Sequence, residues 1–108
     1  MTTRKNRRWM EEEVLFVFET HCETKGQWNA EDVHFLQRML AHFRLHDDAP
    51  VTRSTPSIRT RLRHFRRLEE GEETGVPELD REIWNMYRTE NKRREAIRAL
   101  YNTHLWKP

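Results

Sequence analysis

The chain has 108 residues, enough for one domain with one modest core and too few for two. Its composition is 35% charged and 35% hydrophobic with three glycines, which favours helices, and four Trp, five Phe and two Tyr supply the core material that a disordered chain lacks. The net charge of +2 does not announce a nucleic-acid binder, the single cysteine excludes an intramolecular disulfide and a multi-cysteine zinc site, and no apolar run approaches the ~20 residues that span a bilayer.

Residues 1–8 read as a flexible basic arm carrying Arg4, Lys5, Arg7 and Arg8, and residues 9–108 as a single helical domain. The basic start has no apolar stretch behind it, so it is not a signal peptide, and a cytoplasmic setting is expected. The first helix is expected from Trp9 to Glu23. Glu11, Glu12 and Glu13 suit the positive end of its dipole. Its stripe reads Leu15, Phe18 and Cys22, flanked by Val14 and Val17, and Gly26 stops it in a left-handed conformation. Cys22 beside His21 reads as an inert core thiol and not as a nucleophile.

Asn29 is the expected N-cap of a second helix, with Asp32 at the third helical position. Val33, Leu36, Leu40 and Phe43 form its stripe, Phe35 and Met39 widen it, and the helix should fade at Leu45 and His46. His42 and His46 sit four apart with Asp47 and Asp48 beyond. That spacing lacks the further ligands of a closed metal site, so no metal is expected.

Thr55 and Pro56 open a third helix, threonine as the cap and proline at a position where the missing N–H is tolerated. Ile58, Leu62, Phe65 and Leu68 recur at i, i+4, i+7 and i+10. Arg59, Arg63 and Arg67 then lie opposite, with Arg66 at the edge and Arg61 nearer the apolar side. No acid stands between Val51 and Leu68 to form helix pairs with these cations. Arginine's planar fork reaches phosphates or guanine edges bidentately, so this face is a candidate nucleic-acid footprint. Arg53, Ser54 and Thr55 lie at the helix start, where a phosphate is favoured. The plain alternatives are a solvated face, a simple cap and a solubilising arm.

Glu69, Glu70, Glu72 and Glu73 follow, between Gly71 and Gly75. Pro77 restarts the chain as a helix with Leu79, Ile83 and Met86 or Tyr87 inward. Thr89 to Asn91 breaks it, and a last helix carries Ile97, Leu100 and Tyr101 towards Leu105. Trp9 and Trp84 read as core. Trp28 and Trp106 are open between core and base stacking.

Three motifs carry a resemblance. Arg7-Arg8-Trp9-Met10-Glu11-Glu12-Glu13-Val14-Leu15 resembles the RRWT-x-EEL opening of an N-terminal helical domain found in many HNH endonucleases. Ser54 to Leu62 is similar to the SPxS helix of that domain, and Phe65-Arg66-Arg67-Leu68 to its NFxxL continuation, with His64 where the asparagine would stand. Leu79-Asp80-Arg81-Glu82-Ile83-Trp84 resembles its LDREVW segment. Together they cover roughly residues 7 to 100. The resemblance implies a trihelical DNA-recognition module that stands before a nuclease. No His-Asn-His arrangement is present, so cutting is not carried over and no enzyme is expected.

The expected fold is all-α: a small helical bundle with a helix-turn-helix-like three-helix core and a C-terminal helical extension. The expected function is duplex DNA binding by a transcriptional regulator or accessory recognition subunit, through Arg59, Arg63, Arg66 and Arg67, with support from Arg53, Ser54, Thr55, Arg4, Lys5, Arg7 and Arg8. No cofactor, membrane or small-molecule substrate is expected. The rival is a small phage-type inhibitor that docks on a nuclease or other nucleic-acid-binding complex. Its docking patch would be Glu69, Glu70, Glu72, Glu73, Glu78 and Asp80.

Overall fold

A run of five apolar residues, Val14 to Phe18, decides the architecture, because a helix apolar all round must be covered on every side. In the computed structural model, which describes residues 8–43 and 52–105, this run lies in helix α1, Glu11–Thr24. All five side chains are buried. Helices α2 (Ala30–Leu40), α3 (Thr55–Glu69), α4 (Glu78–Tyr87) and α5 (Glu90–Leu100) pack around α1, and a π turn, Tyr101–Leu105, extends α5. The described residues contain no strand, and the fold is an all-α bundle. The stripe expected for the first helix is therefore too narrow. Phe16 is as deep as Phe18, whereas Cys22 is only half-buried.

Capping sets where each helix begins. The Asn29 side chain accepts from the Asp32 N–H and Asp32 Oδ2 accepts from the Asn29 N–H, both at 2.9 Å, as the sequence led us to expect. The cap of α3 is Ser54, not Thr55: Ser54 is extended and its Oγ accepts from the Ser57 N–H at 3.2 Å. Pro56 then occupies the second helical position, where the N–H also lacks an intrahelical acceptor. At the end of α1, Lys25 and Gly26 are both left-handed, with φ of 55° and 78°.

Helix α2 stops at Leu40, earlier than the apolar repeat suggests. Phe43 still reaches the core, but through a tight turn in which its N–H donates to the Leu40 carbonyl at 3.1 Å. Its ring meets Phe16 edge-on at 5.5 Å between centroids. Residues 44–51, including His46, Asp47 and Asp48, lie outside the described residues, as do Arg4, Lys5, Arg7 and Trp106.

Ile58, Leu62, Phe65 and Leu68 of α3 are all buried, as their spacing requires. Phe65 meets Phe18 at 4.7 Å, and Phe18 meets Trp84 of α4 at 5.6 Å. Arg93 joins the last two helices to the centre. Its Nε donates to Glu19 of α1 at 2.9 Å, and its NH1 donates to the carbonyls of Tyr87 and Arg88 where α4 ends.

Candidate nucleic-acid interface

Burying one face of α3 fixes what the other presents. Arg63 is exposed and Arg59 is partly exposed. Among the described residues, neither guanidinium has a hydrogen bond or ion pair, so all its donors are open to a ligand. Arg66 is exposed but anchored. Its guanidinium lies 5.0 Å from the centre of the Trp28 ring, and its NH2 donates to the Gly26 carbonyl at 2.8 Å. Arg67 turns to the following loop, where its Nε donates to Glu72 at 2.9 Å and its NH2 to the Thr74 carbonyl. The four arginines thus share the solvent side of α3 as two free cations flanked by two held ones.

Arg53 is corrected. It is 4% exposed and closes a bidentate pair with Glu13, itself 2% exposed: Nε to Oε2 and NH2 to Oε1, both 2.8 Å. The same NH2 donates to the carbonyl of Arg8, whose side chain is exposed. A buried carboxylate needs a buried cation, and Arg53 is therefore not available to a phosphate at the start of α3. The Ser54 hydroxyl caps the helix, and Thr55 is partly exposed beside it.

This pair belongs to a chain of contacts that spacing alone does not reveal. Arg53 lies over one region of the Trp9 ring at 4.7 Å and Arg61 at 4.9 Å. Arg61 continues to Asp80 Oδ1, and His64 Nδ1 is 2.8 Å from Asp80 Oδ2. Asp80 is fully buried, which corrects its place in the acidic docking patch. Glu13, Trp9, Arg53, Arg61, Asp80 and His64 thus join the start of α1, the start and middle of α3, and α4. A signal for Asp80 was present: Asp80, Ile83 and Tyr87 follow one stripe of α4, and an acid on such a stripe needs a buried partner.

The remaining acidic residues divide. Glu69 accepts from or donates to His21 Nε2 at 2.6 Å, depending on where the proton sits, and Glu72 pairs with Arg67. Glu70, Glu73 and Glu78 are exposed without an ion pair among the described residues. His42 is exposed, and no group of three metal-ligating side chains occurs among the described residues. Trp28 is half-buried, and its Nε1 has no hydrogen-bond partner. Burial, with the carboxylates of Glu19, Glu69 and Glu23 adding to it and Arg93 opposing, pushes the Cys22 thiol from its ordinary 9.0 up to about 11. A thiol that resists ionisation is a poor nucleophile. Burial and then Glu23 likewise raise Glu19 above the usual carboxylate range, against Arg93.

No family model matches the chain, and neither do any curated proteins or solved structures. No described helix is long and apolar enough to cross a membrane.

Proposed function

We propose that the chain binds duplex DNA through α3, with Arg59 and Arg63 making the direct contacts and Arg66 and Arg67 holding the rim of the face. The observation that carries this reading is the pair of unpartnered guanidiniums on the outward side of a helix whose inward side is fully packed. Cations left without counter-charge on a rigid element favour a polyanion, and an α-helix fits the major groove. Ser54 and Thr55 at the start of α3, and Arg4, Lys5, Arg7 and Arg8 before α1, would add phosphate contacts. The order of the three HNH-type motifs supports the same reading, with the module acting as a transcriptional regulator or accessory recognition subunit in the cytoplasm, without catalysis of its own. A mobility shift tests it: the parent should retard random duplex at low salt, and Arg59→Ala with Arg63→Ala should weaken that binding at least tenfold while leaving the fold intact. Equal retardation by parent and double mutant would overturn it.

One observation favours the inhibitor reading. Arg67 fastens the loop after α3, which carries the exposed Glu70 and Glu73 and leads to the exposed Glu78 at the start of α4; we infer that these carboxylates would serve as an acidic shelf for a basic groove on a nuclease complex.

A further inference from the structure

The apolar repeat puts Phe35 on the flank of the core stripe of α2, yet in the fold its ring faces solvent and is 40% exposed. Glu31, His34 and Arg38 are exposed around it, and with Asp32 these residues line one shallow hollow of about 610 Å³. A single exposed aromatic is ordinary. Its setting here is less so. Among the described residues, Glu31, His34 and Arg38 have no hydrogen bond or ion pair. Glu31 and Arg38 stand two helical turns apart, about 10 Å along the axis, and do not pair with each other.

Positions i, i+3, i+4 and i+7 are the four corners of the hole that receives a side chain from a facing helix. Glu31, His34, Phe35 and Arg38 occupy those corners. Their order is self-complementary on reversal: an anion at one end, a cation at the other and two rings between. A two-fold axis passing between residues 34 and 35 would lay α2 antiparallel on its own copy. Glu31 would then meet Arg38 of the second copy, and His34 would meet Phe35 of the second copy. Each residue of the set finds a complement, as an isologous interface requires. A parallel arrangement would set like charges against each other. We propose that the outer face of α2 is a homodimer interface, with two copies packed antiparallel about Phe35. Helix α2 has 11 residues, so the contact is small and the dimer should exchange with monomer at submillimolar concentration. None of these residues belongs to the Arg59 and Arg63 face, and the inference does not rest on DNA binding there.

Sedimentation of the full chain over a concentration series tests it. The apparent mass should rise from one chain towards two. Phe35→Ala should weaken association about tenfold, since it removes the central ring of a small interface. Arg38→Glu and Glu31→Arg should each abolish association when alone, because like charges then face each other across the axis. Mixed in equal amounts, these two variants should associate again, since one copy then carries acids at both ends of the set and the other carries bases. All three substituted positions are exposed and the Asn29 and Asp32 cap is untouched, so melting temperatures should hold. A parent chain that stays monomeric at millimolar concentration would overturn the proposal. So would a dimer unchanged by Phe35→Ala and Arg38→Glu, or two folded charge variants whose mixture remains monomeric.

Discussion

Both carboxylate oxygens of Glu13 accept from Arg53, and Oε1 also accepts from the Met10 N–H at 2.9 Å. One side chain therefore closes the first turn of α1 and neutralises a buried cation. Removing one partner of a buried pair leaves an uncompensated charge, which typically costs about 3–5 kcal/mol. Arg53→Ala should therefore lower the denaturation midpoint sharply. Its folded fraction should keep the parent's affinity for duplex at low temperature, and a selective loss of affinity with unchanged stability would return Arg53 to the phosphate-binding set. Cys22 makes a second prediction at this scale. A thiol moved from 9.0 to about 11 has roughly 100-fold less thiolate at pH 8, so alkylation of the native chain should be slower than that of a free thiol by about that factor. The sign for stability follows. The unfolded chain loses this proton near pH 9 and the folded chain only near 11, so stability should fall as pH rises through that window. Cys22→Ala should remove that part of the alkaline decline in a urea titration.

At the scale of elements, packing gives a direct check. Phe65 of α3 and Phe43 after α2 fill opposite sides of the core around α1, against Phe18 and Phe16. Each truncation to alanine should cost about 3–5 kcal/mol, because the cavity left behind collapses only in part. Calorimetry on the two variants measures this, and an unshifted melting temperature in either would show that its ring is not core. The period-3.6 pattern made α3 legible residue by residue, since Ile58, Leu62, Phe65 and Leu68 face inward with no exception. It made the centrality of α1 illegible, because a stripe was sought in Val14 to Phe18 where there is none. Phe43 shows a further limit: an apolar residue in phase with a helix can be delivered by a turn after the helix has ended. The arginine face was legible because periodicity separates solvent from core. Its division into free and held guanidiniums was not, because Gly26, Trp28, Glu72 and Thr74 reach Arg66 and Arg67 through tertiary geometry. For the same reason, Glu13 and Arg53 looked like surface charges although they are buried, whereas the burial of Asp80 was readable from its place on the α4 stripe.

Across the whole molecule, the arginine face and the acidic shelf stand side by side on α3 and its loop, and their opposition makes the DNA and inhibitor readings separable. If roughly five cations contact phosphates, log affinity should fall against log salt with a slope between about −4 and −5. The acidic shelf should matter with opposite signs in the two readings. Glu70 and Glu73 are exposed and make no ion pair among the described residues, so Glu70→Gln with Glu73→Gln removes two charges without disturbing the bonds of Glu69 to His21 or Glu72 to Arg67. On a DNA binder these carboxylates repel phosphate, and their neutralisation should tighten binding several-fold, mostly by faster association. On a protein that docks through its acidic shelf, the same change should weaken capture of the partner while the melting temperature holds. Reversal of Arg59 and Arg63 to glutamate gives the mirror result, with DNA binding lost and acidic docking preserved. Mobility shift and pull-down from one preparation of each variant compare all four outcomes. Duplex affinity that is unmoved by both variants would remove α3 as the reader and leave the acidic shelf as the surface that works.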